Sequence, residues 1–464
     1  MNGGKYMFLK EMDKAKPVHM IGIGGISMSG IAEILLSMGY TVTGSDSHLS
    51  EITERLEKNN IKVYNGQCAE NVIGAGIVVY TAAIKPDNPE LSKARELNIP
   101  TIERSEFLGE LTKLYSETIA ISGTHGKSTT TSMISLIFME ALKDPTIQVG
   151  ADLKQLNGTN YRIGNSPYFI VEACEYVESF LKFSPKTAII LNIEEDHLDY
   201  YRDINHIKSA FYKFAELVPE DGKIIINADN QNCNEIIEKM KSKVITFGIK
   251  NERANWTAKN IHLNANGHYS FTATSDSLSI DITLSVFGMH NVYNALAAVA
   301  TASLYNIEPF IIQKALADFT GAHRRFEYTG TFNNAQVYDD YAHHPTEIKA
   351  TIEAAKNLPH NKLWVIFQPH TYSRTSTLFN EFSNAFKETD EVILADIYAA
   401  REIDTGVVSS QKLALAINEI SNNCTYLGSF DKIKDYLKEN VKENDLVLTV
   451  GAGDVYKIGK DLVL

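Results

Sequence analysis

The stretch Glu117 to Met133, ETIAISGTHGKSTTTSM, limits what this 464-residue chain can fold into more than any other. Thr118 to Ser122 reads as a short apolar strand, Gly123 to Gly126 as a turn, and a helix opens at Lys127. A strand that passes through a Gly-rich turn into a helix aims free backbone N–H groups and the positive helix end at one spot. That spot attracts an anion. Lys127 adds a full charge to it, and the Ser128 hydroxyl is placed to meet a divalent cation. The common P-loop has Gly six residues before its Lys; Ile121 holds that position here, so GTHGKST is a shortened form. A plain turn with a surface lysine would not need two glycines, a lysine and a hydroxyl run in this order. Gly123, Thr124, His125, Gly126, Lys127, Ser128 and Thr129 are therefore expected to hold nucleotide phosphates. ATP with Mg²⁺ (or Mn²⁺) is the expected ligand.

The length suggests three domains rather than one core. A hydrophobic share of 44% and a charged share of 22% are those of an ordinary globular protein. The net charge of −13 excludes general nucleic-acid binding, which needs a basic surface. Cys68, Cys174, Cys233 and Cys424 are scattered, which fits reduced thiols better than a disulfide framework or a zinc site. The N-terminus lacks the pattern of a signal peptide and no apolar run approaches membrane-spanning length, so a cytoplasmic location without membrane insertion is expected.

Residues 17–46 begin with a buried-type strand, Val18 to Ile23, whose Gly22, Gly24 and Gly25 make a tight turn. Ser29 to Met38 then has helical apolar spacing, and a second strand, Tyr40 to Gly44, leads to Asp46. This is a βαβ nucleotide-binding start, with Asp46 where a ribose is read. Its fingerprint is incomplete, because Ser27 takes the third glycine position. Strand-like segments follow near Lys62, at Ile77 to Tyr80 and at Pro100 to Ile102. Thr81 and Ala83, just past a strand end, lie where open α/β sheets collect ligands. Arg104 and His19 are candidates for an anion contact, although a packed strand histidine explains His19 equally well.

Further on, Tyr168 to Val171 is an apolar strand ending in Glu172, where the magnesium ligand of a phosphate-loop protein belongs. Thr187 to Leu191 is another, followed by Asn192-Ile193-Glu194-Glu195-Asp196-His197. His197 reads as a second metal ligand, supported by Asn192 and Glu194. Residues 253–286 alternate polar and apolar around a turn at 264–267, which predicts a hairpin or small antiparallel sheet appended to the core. His290, Asn291 and Asn294 then open an Ala-rich helix, and the two amides at i, i+3 suit one flat polar ligand such as adenine. Arg324 and Arg325 sit at a joint, where guanidinium groups suit phosphate or carboxylate. Strands and helices alternate to the end, with Asp, His and Arg residues gathered after strands at 339–345, 368–374 and 451–454.

These blocks resemble the Mur ligases, ATP-dependent amide-forming enzymes of peptidoglycan synthesis. The resemblance rests on HMIGIGGISMSGIA (His19 to Ala32), GTHGKSTT (Gly123 to Thr130), NIEEDHLDYY (Asn192 to Tyr201), GMHNVYNALAA (Gly288 to Ala298), GAHRRFE (Gly321 to Glu327), DDYAHHPTEI (Asp339 to Ile348) and HTYSRT (His370 to Thr375). The first and sixth blocks look most like the branch that acts on the muramate carboxylate. The resemblance implies a Rossmann-like UDP-sugar domain (1–113), a central ATP domain (114–321) and a Rossmann-like amino-acid domain (322–464). It implies UDP-N-acetylmuramic acid and L-alanine as substrates, and a monomer or homodimer. It also implies that Lys127, Ser128 and Thr129 hold phosphates and one Mg²⁺, that Glu172 and His197 resemble metal ligands, and that Arg324 or Arg325 reaches the γ-phosphate or a carboxylate. Tyr341, His343, His344, Arg374 and Arg401 would line the acceptor side, with His343 or His344 as base. Where relatives read Ala-Asp-Glu-Ser, this chain has Ala173-Cys174-Glu175-Tyr176, and no role carries over to Glu175.

Overall fold

The computed structural model describes Leu9, residues 12–400 and residues 402–464. The fold is mixed α/β, with three sheets formed in chain order. The first is parallel and five-stranded, in the order Lys62–Asn65, Val42–Asp46, Val18–Ile21, Ile77–Tyr80, Thr101–Glu103. Val18–Ile21 is buried along its whole length, as expected of a strand covered by helices on both faces. The helix after it begins at Ile26, a turn earlier than the apolar spacing suggested, because Gly25 in extended backbone starts it without a side-chain cap.

The central sheet has ten strands. Glu117–Ser122 lies inside it between Thr187–Ile190 and Tyr168–Glu172, in parallel register with both. Two features depart from the expectation. The alternating segment forms three strands, Trp256–Leu263, Tyr269–Thr274 and Ser279–Thr283, and they are not a separate sheet. Phe247 pairs with Trp256 in parallel, so the meander continues the central sheet. At the other edge Thr146–Leu153, which alternates polar and apolar residues, pairs antiparallel with Thr159–Arg162, a hairpin not among the expected elements. The helix Lys127–Glu140 packs on this sheet against the Ala-rich helix His290–Leu304, whose small side chains let the two approach.

The third sheet has six strands, ordered Glu327–Phe332, Ala335–Asp340, Leu446–Val450, Leu363–Phe367, Glu391–Ala395, Cys424–Gly428, with only the first antiparallel. No described helix is long and apolar enough to cross a membrane. Loops that follow strands of the second and third sheets meet, bringing His125, Glu195 and Asp196 against Glu347, His344 and Arg374.

Candidate active site at the domain seam

The helix Lys127–Glu140 opens directly from Gly126, whose φ of +85° L side chains rarely adopt. A Cβ there would lie 2.5 Å from Asn294 Oδ1. Lys127 Nζ donates to the Gly123 and Thr124 carbonyls at 2.6 and 3.0 Å and pairs with Glu175 at 3.0 Å. Burial opposes its charge, but Glu175 overcomes this and raises the ammonium above the usual lysine range. Glu175, only 3% exposed, is thus part of the phosphate-loop machinery that sequence reasoning set aside. Asn192 holds the loop backbone from the side, accepting from His125 N–H (2.7 Å) and donating to His125 O (3.1 Å). Glu194 N–H donates to the Thr124 hydroxyl at 2.9 Å. Asn192 and Glu194 therefore grip the loop instead of supporting His197.

A cavity of about 870 Å³ opens from this loop. His125, Gly126, Thr129, His290, Asn291 and Asn294 line it from the central domain, and Arg325, Glu347 and Lys349 from the third. The two asparagines are on one face as read, but Asn294 Nδ2 donates to Asn291 Oδ1 at 2.9 Å and Asn291 Nδ2 to Phe287 O at 2.6 Å. His290 is exposed at the cavity, and its Nε2 lies 3.2 Å from Asn291 Nδ2. Asp229, which the motifs did not single out, also lines the cavity. It accepts from Tyr293 OH and from the N–H groups of Ile249, Lys250 and Asn251. Its position at the carboxyl end of the strand Lys223–Asn227 is the signal that could have found it.

A second pocket, about 380 Å³, lies across the seam and is lined by Tyr176, Asp196, His197, His370, Arg374 and Glu402. Arg374 Nη2 is 3.1 Å from Asp196 Oδ1, and its Nη1 is 3.1 Å from His370 Nδ1. Despite burial, His197 and Arg374 hold Asp196 well below the usual carboxylate range. His197 Nε2 lies 3.7 Å from both Glu175 and Asp196, and its ring packs on Tyr176. His343 is pushed down to about 3 by burial; its Nδ1 faces Tyr341 O at 3.0 Å.

Two expected groups have other work. His344 Nδ1 accepts Thr346 N–H (3.3 Å) as the N-cap of the helix Pro345–Lys356, and its Nε2 donates to Glu195 O (3.0 Å). With both nitrogens used, His344 is a poor base. Arg324 is bonded to Asp339 Oδ2, Gly453 O and Gly451 O, which ties it to the third sheet and leaves Arg325 as the arginine that reaches the cavity. Tyr341 faces both guanidinium groups at 5.0 and 5.2 Å. Arg401 lies outside the described residues.

For a divalent cation, the Ser128 hydroxyl and the Glu172 carboxylate supply hard oxygen donors, which suit Mg²⁺. Glu172 pairs in register with Ile121 on the strand that feeds the loop, and Gly150 N–H orients one of its oxygens at 2.7 Å. His125, Glu194 and His344 bring ligand atoms within 4.8 Å of one another. The His125 ring, however, is pushed up to about 10 by Glu347 and Glu194 against the effect of burial. With both His344 nitrogens bonded to backbone groups and His125 set between Glu194 and Glu347, the contacts present make this cluster an ion-pair group.

In the first domain Gly22, with φ +82°, begins the glycine turn beside Thr81. Gly24 N–H donates to Asp46 Oδ2 at 2.9 Å, so one Asp46 oxygen braces the turn. Arg104 Nη1 donates to the Ser27 hydroxyl, and Gln148 Nε2 of the central domain does so too, which gives the serine at the missing glycine position a use. Ala83 N–H turns back on the Thr81 hydroxyl. His19 is fully buried, 2.9 Å from Thr43 Oγ1 and 3.6 Å from Glu90. It is a packed core histidine, not an anion ligand.

A phosphate loop whose cavity is closed by a separate α/β domain, with a nucleotide-type sheet on the far side, defines a three-domain enzyme that assembles its site at a seam. Family descriptions match along the chain: "Mur ligase family, catalytic domain" at 17–116, "Mur ligase middle domain" at 121–302 and "Mur ligase, glutamate ligase domain" at 324–453. The chain belongs to the Mur ligase family. It is 54% identical over 449 residues to the UDP-N-acetylmuramate–L-alanine ligase of Acetivibrio thermocellus, covering 97% of this chain and 96% of that one. It is 52% identical to the enzyme of that name from Clostridium novyi, over 98% of each. Among solved structures, the UDP-N-acetylmuramate–alanine ligase of Thermotoga maritima superposes with a TM-score of 0.82 at 30% identity, over 97% of this chain and 98% of that one. A murein peptide ligase from Psychrobacter arcticus gives 0.71 at 26% identity, over 96% and 98%.

Proposed function

We propose that this chain joins L-alanine to the carboxylate of UDP-N-acetylmuramic acid while ATP becomes ADP and phosphate. The observation that carries the reading is the 54% identity over nearly the whole of a relative bearing that activity's name, on a site whose two pockets open on one seam. In this reading residues 1–113 hold the UDP-sugar, 114–321 the ATP and 322–464 the amino acid.

A carboxylate is a poor acylating agent, so its oxygen attacks the γ-phosphorus, the bond to ADP breaks and an acyl phosphate forms. Two anions must meet for this. Lys127 and Arg325 neutralise the encounter, and Lys127 is kept fully charged by Glu175. Ser128 and Glu172 would hold one Mg²⁺ and His197 would be a ligand to a second, and bound ions would add charge neutralisation at the phosphates. The amino nitrogen then attacks the acyl carbon, and phosphate departs with the C–O electron pair. His343 turns its Nδ1 to Tyr341 O, which leaves Nε2 to accept a hydrogen bond from the amine and orient it; with the ring pushed down to about 3 it is too weak a base to keep the proton. Arg374 and Asp196 line the pocket where a zwitterionic amino acid finds both signs of charge.

Phosphate release by the purified protein with ATP, Mg²⁺ and UDP-N-acetylmuramic acid tests this, with L-alanine, glycine, L-serine or tripeptide added in turn. Release that requires both the UDP-sugar and L-alanine is expected. Release with tripeptide alone would move the chain to the peptide-recycling branch, and no release with any acceptor would end the ligase reading.

A further inference from the structure

Among the described residues, His125 is the phosphate-loop side chain that the third domain grips. Its Nδ1 lies 3.0 Å from Glu347 Oε1 on the helix Pro345–Lys356, and its ring centroid is 4.8 Å from that of His344. On the central side its Nε2 is 3.5 Å from Glu194 Oε2. Glu194 reaches across as well, accepting from the Thr346 hydroxyl at 3.0 Å, and Glu195 O accepts from His344 Nε2. The other oxygen of Glu347 accepts the N–H groups of His343 and His344, so the same carboxylate orders the turn that carries His343. A continuous chain of contacts thus runs from the phosphate loop, through one imidazole, to the backbone of the acceptor side.

We infer that His125 is a positioning residue that couples filling of the phosphate loop to docking of the third domain. The inference rests on the ATP reading above and adds to it the residue through which the loop acts. The physical argument is geometric. The Asn192 side chain fixes the His125 backbone on both its N–H and its C=O, so the loop cannot shift without dragging the ring. The ring sits between two carboxylates from two domains, so its displacement takes the imidazole away from a half-buried Glu347 oxygen. Docking and loop conformation are then two readings of one contact, which is what reciprocal coupling requires.

The test uses the full chain with His125→Asn, Glu347→Gln and the double variant. Two quantities are read: compaction by small-angle scattering on adding ADP or a non-hydrolysable ATP analogue, and the KM for L-alanine at saturating against limiting ATP. Each single variant is expected to lose the compaction and to raise the L-alanine KM by about tenfold. The double variant is expected to be no worse than either single, since both cut one contact. Parent-like compaction and KM in His125→Asn would overturn the inference, as would effects that add in the double variant, which would mean that Glu347 acts only as a helix cap. A parent protein that binds no nucleotide would instead end the ATP reading, and calorimetry separates that outcome from the others.

Discussion

At the scale of single residues the site is a set of charges that only make sense in pairs. Lys127→Ala removes the cation of the phosphate loop and orphans Glu175, which is buried. Turnover is expected to fall by about a thousandfold, with a folded circular-dichroism spectrum retained; parent-like phosphate release from that variant would contradict the assignment. His125 gives a pH signature. Its folded pKa of about 10 lies above the usual imidazole value, so its contribution to stability is complete below pH ~6.5 and is lost as the pH rises toward 10. Melting temperature should therefore drop more between pH 7 and 9.5 in the parent than in His125→Asn. Equal drops would mean that the ring is not held as a cation.

At the scale of elements, the phosphate loop is set by backbone that only glycine tolerates. Gly126→Ala places a methyl group 2.5 Å from Asn294 Oδ1 at a φ of +85°, and should cost about 1–3 kcal/mol in denaturant unfolding along with nucleotide affinity. The loop and its flanking strand and helix were legible because glycines, a lysine and an apolar run each state their own local geometry. The strands Ile77–Tyr80 and Tyr168–Glu172 were legible for the same reason, being short apolar runs with no competing period. The hairpin Thr146–Leu153 with Thr159–Arg162 was not, since TNYR carries no apolar pattern to mark a partner, although the alternation of TIQVGADL was there to be read. The site divides along the same line. The residues that touch the loop by sequence neighbourhood were found, whereas Glu175 and Glu347 act across distances in sequence that no local pattern encodes. Arg324 and His344 were misjudged for a related reason. A guanidinium or imidazole at a strand end looks free until the carbonyls and N–H groups that use it are in place.

At the scale of the whole molecule, the seam between the second and third domains carries partly buried histidines. His370 is held down to about 4 and His343 to about 3, chiefly by desolvation in the seam. An unfolded chain binds protons on these rings from pH ~6.5 downward while the folded protein does not, so stability should fall as the pH drops from 6.5 toward 4. The depressed carboxylates Asp196 and Glu347 add their loss only below pH ~4, the unfolded carboxylate range. Thermal melts at pH 7, 5.5 and 4.5 check this, and a flat profile would mean that the seams open before the rings charge. The cavity of about 870 Å³ has walls from two domains, and that bears on selective inhibition. A compound that fills only the phosphate-loop wall meets backbone N–H groups that any triphosphate-binding loop presents. One that also reaches Arg325 and Lys349 must find the third domain at the right distance, and so reads a shape that unrelated nucleotide-binding proteins do not share.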